Sequence, residues 1–237
     1  MGYPAKWANA AAMFREVADA RLDLAYGDSP RQVLDLFMPD AKPKGLCVFV
    51  HGGYWMDFDK STWSHLAAGP VAQGWAVAVP SYDLCPQVRV SDITVQIERA
   101  VRFAAGQVGG PIRLTGHSAG GHLVARLAGM AWDGRLAKVV PISAVTDLVP
   151  LLETRMNSRL QLDRAEALAE SPQRLPAPAV PVTAWVGGDE RPVFIEQSQE
   201  LGAAWNCKVH IEPNKHHFNV IEPLADPNSP IVVELLS

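Results

Sequence analysis

The chain has 237 residues, 48% of them hydrophobic and 19% charged, with a formal net charge of −4 at pH 7. That composition lies outside the disordered range and leaves room for one large domain with a substantial core. The small negative charge, with no basic run, excludes an electrostatic footprint for nucleic acid, and no apolar stretch reaches the roughly 18 residues of a membrane span.

The chain opens with MGYPAKWANAAAMFREVADARL, which carries Lys6, Arg15, Glu16 and Asp19. It lacks the basic start and continuous apolar run of a secretory signal. Cys47, Cys85 and Cys207 are odd in number, far apart and in no CxxC pair, which points to reduced thiols in a cytoplasmic protein. Two strand-like segments follow, LDLAY at 22–26 and VLDLFM at 33–38. Both alternate apolar and polar residues as half-exposed strands do, with GDSPRQ as the turn between them.

The pattern then changes. LCVFV at 46–50, WAVAV at 75–79, LAKVVPI at 136–142 and VTAWV at 182–186 are almost wholly apolar and bounded by Gly or Pro. Strands buried on both faces of a parallel sheet read this way. IRLT at 112–115 and CKVHI at 207–211 are weaker strands of the same kind. Helical spacing separates them: Ile93, Ile97, Val101 and Ala104 recur at helical intervals, with Ser91 expected as the N-cap, and Phe194, Gln197, Leu201 and Trp205 share one side of another helix. Alternating strands and helices predict an α/β fold with a mostly parallel sheet. Residues 148–178 interrupt the alternation after the sixth strand and are expected to form a small helical insertion over the sheet's carboxyl edge. No linker divides the chain, so residues 1–237 are read as a single domain.

Gly116-His117-Ser118-Ala119-Gly120 stands between a short strand and a helix, the setting in which Gly-x-Ser-x-Gly presents a serine nucleophile. The glycines admit a tight turn, and the following helix aims its free N–H groups at charge forming on a bound carbonyl. A nucleophile needs a base. Of the seven histidines, His51 and His117 belong to glycine motifs, His65 and His122 lie on helices where an exposed role is expected, and His210 alternates within a strand. His216 and His217 remain, on a loop after the last strand. The orienting acid should precede them at a strand end, where Asp189 and Glu190 are adjacent candidates and Asp147 is a third. No spacing suited to a metal site occurs.

HGGYW at 51–55, GHSAGGH at 116–122 and the final HHF at 216–218 resemble the arylformamidase (kynurenine formamidase) branch of the α/β hydrolases, near the hormone-sensitive-lipase-like esterases. RQVLDLFMP at 31–39 and FIEQSQEL at 194–201 extend the likeness from about residue 20 onward. The resemblance implies an α/β-hydrolase fold without cofactor, with Ser118 as nucleophile, the histidine before Phe, His217, as base, and Glu190, three residues after Gly187, as acid. An Asp is common at that position in relatives, which keeps Asp189 in view. It further implies an oxyanion hole from the N–H groups of Gly53, Tyr54 and Ala119, with Trp55 anchoring the loop by packing. The first 20 residues match the branch poorly. The expected activity is hydrolysis of a small-acyl amide or ester of the N-formylkynurenine kind. The alternatives are a general short-chain carboxylesterase and a catalytically silent member of the fold that binds a ligand. The expected partner is a small-molecule substrate, and a homodimer is compatible with the sequence.

Overall fold

A computed structural model describes residues 2–237, and in it the predicted alternation resolves into one sheet with helices on both faces. Among the described residues the strands are β1 (Ala20–Ala25), β2 (Val33–Phe37), β3 (Leu46–Val50), β4 (Ala76–Pro80), β5 (Ile112–His117), β6 (Leu136–Ile142), β7 (Thr183–Gly187) and β8 (Lys208–Glu212). They lie side by side in the order β1-β2-β4-β3-β5-β6-β7-β8. β2 runs antiparallel to β1 and β4, and every other neighbouring pair is parallel. The helices are α1 (Tyr3–Val17), α2 (Ala68–Ala72), α3 (Val90–Gln107), α4 (Ala119–Ala128), α5 (Asn157–Leu160), α6 (Arg164–Ala169), α7 (Pro192–Trp205) and α8 (Pro230–Leu236).

The unbroken apolar runs are two interleaved patterns of period two. On β3, Leu46, Val48 and Val50 pack into the core under α3 and α4, with Ile93, Ile97, Leu123 and Leu127. Cys47 and Phe49 point the other way, into the core that holds Trp7 of α1 and Ile231, Val232 and Leu235 of α8. Each such Val, Leu, Ile or Phe gains about 1.5–3 kcal/mol from full burial, before the entropy of ordering it is subtracted. The middle strands are therefore fixed from both faces, and their carboxyl ends become a rigid rim.

Three expectations are corrected. β2 is not half exposed: Asp35, the polar residue in its alternation, is 1% exposed. Its carboxylate meets the Lys60 ammonium at 2.7 Å, and Asp23 binds the same ammonium at 2.7 Å. A buried charge is tolerable when paired in this way, and no sequence pattern distinguishes it from a solvated one. Helix α3 starts at Val90, with the Arg89 N–H bonded to Asp92 Oδ2 at 2.9 Å, so Ser91 is not the cap. Ser91 instead gives its N–H and O–H to Glu166 Oε1 at 3.0 and 2.7 Å. His122 is fully buried rather than exposed: its ring stands edge-on to Trp55, and its Nε2 bonds to the Glu170 carbonyl at 2.7 Å.

The stretch predicted as an insertion holds α5, α6 and two short 3₁₀ turns. Leu160 and Leu162 are buried in the α3/α4 core, and Leu151 and Leu152 pack against it. Its charged residues tie it down as well. Glu166 binds Arg89 at the start of α3, and Glu170 receives both Arg126 of α4, at 3.0 Å, and the Thr94 hydroxyl of α3, at 2.7 Å. No helix among the described residues is long and apolar enough to cross a membrane.

Candidate active site

The site grows from the carboxyl rim of the parallel strands, where open α/β sheets place their chemistry. β5 ends in the GHSAG turn. Ser118 sits there at φ 55°, ψ −115°, a region that a residue with a Cβ occupies only when its surroundings force it. Its N–H donates to the Ile142 carbonyl at 2.9 Å, and its carbonyl accepts the His122 N–H at 3.0 Å. The flanking glycines leave no choice of residue. A Cβ on Gly120 would lie 2.0 Å from the Val50 carbonyl oxygen, and one on Gly116 would lie 2.5 Å from that of Gly120.

The HGGYW loop after β3 is wound tightly. Gly53, Tyr54 and Trp55 all have positive φ, at 116°, 53° and 59°. The Gly53 carbonyl accepts both the Met56 N–H, at 2.9 Å, and the Asp57 N–H, at 3.0 Å, which closes the turn. The loop is held at its root by His51, whose ring stacks on Tyr82 at 4.3 Å while the Tyr82 hydroxyl donates to the His51 carbonyl at 2.9 Å. Trp55 is fully buried, and its carbonyl accepts the Cys85 N–H at 2.8 Å. Tyr54 is 38% exposed, so its side chain lies outside this packing. Among the described residues, the N–H groups of Gly53, Tyr54 and Ala119 donate to no carbonyl or side chain of the chain.

Across from this loop, β7 ends at Gly187, and Glu190 folds back beneath the rim. One carboxylate oxygen, Oε2, meets His217 Nδ1 at 2.7 Å. The other, Oε1, accepts the Gly187 N–H at 3.1 Å and the Ser143 hydroxyl. Asp189 is exposed, and only its N–H is engaged, to the Lys215 carbonyl at 2.8 Å. Asp147 belongs elsewhere: its carboxylate is paired with Arg174 and Ser171, and burial is more than offset by those bonds, so its pKa is lowered. His216 turns away from Glu190 and reaches the Tyr3 hydroxyl at 3.0 Å. His217 lies between two rings, His117 at 4.6 Å and Phe194 at 4.2 Å, and His117 is the residue before Ser118. His217 and Ser118 form no hydrogen bond in this structure; the His217 ring lies instead against that of His117, the residue before Ser118.

The buried imidazoles around Ser118 are held neutral. Burial lowers the pKa of His51 and of His122 to about 4, and burial together with the neighbouring His217 lowers that of His117 well below the ordinary 6.5. Three residues escape sequence reasoning. Ser143 bonds to Glu190 from the end of β6, where it has φ 47°. Phe194 stacks on His217, although the helical pattern only marks it as one more apolar position. Tyr3 lies in the first 20 residues, outside the stretch that the arylformamidase likeness covers. No motif marks any of them, because each acts across a gap in sequence that only the fold closes. A cavity of about 730 Å³ bordered by Trp132, Leu175, Val180 and Trp205 contains none of the candidates. The site is therefore defined by its chemistry, and the size of that cavity carries no weight here.

The BD-FAE family profile matches residues 34–200, well over half of the chain. The chain belongs to the BD-FAE family. Curated relatives include kynurenine formamidases of Salmo salar and Danio rerio, each 29% identical. The alignments cover 90% of this chain in both cases, with 79% of the first relative and 80% of the second. Among solved structures, a candidate thioesterase from Silicibacter sp. TM1040 is 53% identical with a TM-score of 0.97, over 99% of this chain and 93% of that one. Esterase B from Lactobacillus Rhamnosis, 22% identical with a TM-score of 0.72 over 98% of this chain and 90% of that one, shares the α/β-hydrolase fold. This BD-FAE protein is thus an α/β hydrolase of the formamidase and esterase type.

Proposed function

We propose that this BD-FAE hydrolase uses Ser118 as a nucleophile on a small-acyl amide or ester, with aryl formamides as its preferred class. The observation that carries the reading is the Glu190–His217 contact of 2.7 Å, near a serine held in a strained turn at the start of α4. The relatives' formamidase names support the formyl group. The uncommitted N–H groups of Gly53, Tyr54 and Ala119 support the handling of an oxyanion.

The steps follow from the geometry. His217 takes the Ser118 proton at Nε2 as Oγ bonds to the carbonyl carbon, and Glu190, still ionised, holds the imidazolium through Nδ1–H. The negative carbonyl oxygen meets the N–H groups of Gly53, Tyr54 and Ala119, each contributing about 2.7–4 kcal/mol to the transition state. When the C–N or C–O bond breaks, His217 returns the proton to the leaving amine or alcohol. Water, deprotonated by the same imidazole, then attacks the acyl-enzyme and frees the acid together with Ser118. A short-chain ester or thioester is the second reading, favoured by the 53% identity to the candidate thioesterase. Three free cysteines, with Cys47 and Cys85 buried, fit a cytoplasmic setting.

The test pairs a phosphonate label with a substrate series. The label should attach once, at Ser118, and Ser118→Ala should abolish both labelling and turnover. Aryl esters from formyl to octanoyl should lose kcat/KM steeply beyond acetyl or propionyl, with an aryl formamide turned over. A maximum at butyryl or longer with no formamide cleavage favours the esterase reading, and an unlabelled wild type refutes the nucleophile.

A further inference from the structure

The two ends of the chain that lie outside the family match, residues 2–33 and 201–237, meet beside the candidate base. We infer that helix α1 is a positioning element for His217, acting through Tyr3 on His216 and Phe218. The inference rests on the reading in which His217 is the base, and it concerns how that base is held.

His216 is the hub of its loop. Its N–H donates to Asn219 Oδ1 at 2.7 Å, and its carbonyl accepts the N–H groups of Asn219 and Val220, both at 3.1 Å. Its Nδ1 accepts the Phe218 N–H at 3.2 Å, so Nδ1 carries the lone pair and the proton of the neutral ring sits on Nε2. Nε2–H therefore donates to the Tyr3 oxygen at 3.0 Å. The Tyr3 ring then covers the residue on the other side of the base, stacking on Phe218 at 5.6 Å with 26° between the planes. One side chain from α1 thus grips both covalent neighbours of His217.

The grip is firm because α1 is itself fixed. Trp7, one helical turn from Tyr3, is 3% exposed and lies against Trp63 at 4.7 Å. Trp63 in turn meets Phe58 at 5.6 Å, and a Cβ on Gly53 would lie 2.9 Å from a ring carbon of Phe58. The aromatic chain consequently runs from the base loop to the oxyanion loop. It sets the distance between the two halves of the site with rings, whose few rotatable bonds give little slack.

Three variants test this: Tyr3→Phe, which keeps the ring contacts and loses the hydroxyl; Tyr3→Ala, which loses both; and Met13→Ala, which changes an exposed side chain of α1 away from the base loop. Turnover of an aryl ester and the rate of phosphonate labelling at Ser118 are measured for each beside the wild type. Expected are an unchanged KM with kcat and labelling rate lowered roughly threefold in Tyr3→Phe and roughly tenfold in Tyr3→Ala, since small misplacements of a reacting group are costly. Met13→Ala should match the wild type. If Tyr3→Ala does not fold, Tyr3→Phe carries the test alone. The inference is overturned if kcat is untouched in Tyr3→Phe, if KM alone rises, or if Met13→Ala loses as much. Wild type that reacts at Ser118 while His217→Ala does not keeps the underlying reading intact whatever the Tyr3 result. An unlabelled wild type removes both.

Discussion

The two halves of the candidate site are built from different materials. On the nucleophile and oxyanion side, backbone does the work: a serine at φ 55°, three successive positive-φ residues from Gly53 to Trp55, and glycines pressed against carbonyl oxygens. On the base and acid side, side chains from distant elements converge. Glu190 comes from the end of β7, Ser143 from the end of β6, Phe194 from α7, and Tyr3 from α1. The backbone half is specified within a few residues of itself and can be damaged by adding one methyl group. The side-chain half is specified by tertiary packing and should fail by degrees, one contact at a time.

The largest expected effect lies in the side-chain half. Glu190→Gln removes the charge that orients His217 and should lower kcat by about 10⁴-fold, roughly 5.5 kcal/mol of transition-state stabilisation, with the fold intact by circular dichroism. Asp189→Asn should change little; equal losses in the two variants would mean that the observed contact is not the working one. Next comes Gly120→Ala, whose new Cβ would lie 2.0 Å from the Val50 carbonyl oxygen. It should destabilise the protein by about 4 kcal/mol or leave it insoluble. Gly106→Ala, in α3 with nothing within 4 Å of the added carbon, should gain roughly 0.5–1 kcal/mol in the same denaturant titration. A tolerated Gly120→Ala would end the claim that the backbone half is sterically fixed.

Ser143→Ala tests gradual failure. Glu190 would keep its bonds to His217 and to the Gly187 N–H, so kcat should fall only about tenfold, near 1.4 kcal/mol. A loss as large as that of Glu190→Gln would show the two side chains acting as one unit. The remaining test is the response to acid. His51, His117 and His122 brace the backbone half as neutral rings with lowered pKa, whereas in the unfolded chain they take up protons near pH 6.5. Their contribution is complete above about pH 6.5 and is lost as pH falls toward 4, by up to about 1.4 kcal/mol per pH unit for each ring. His122→Phe keeps a ring beside Trp55 and removes one proton acceptor, so its melting temperature should fall less steeply between about pH 6.5 and pH 4.5. Parallel slopes in variant and wild type would remove His122 from the account.

The same division explains what could be read beforehand. The strand runs, the GHSAG turn and the HGGYW loop are local signals, because burial on two faces and close backbone approach each restrict residues that are neighbours in sequence. Asp35 could not be read, since its alternating pattern is the same whether it faces water or Lys60. His122 was misplaced for the same reason: its helix repeat does not reveal that the insertion covers it with the Glu170 carbonyl. Ser143 and Tyr3 carry no signal at all, being ordinary residues whose partners are 47 and 213 positions away. The choice of Glu190 over Asp189 depended on counting from Gly187; of these two adjacent carboxylates, Glu190 meets His217 and Asp189 is exposed.

The insertion over the rim is riveted at three places, Arg89–Glu166, Arg126–Glu170 and Arg174–Asp147, and by leucines sunk into the core. Tied at these places, the segment is expected to move with α3 and α4 as one body and not as a lid of its own.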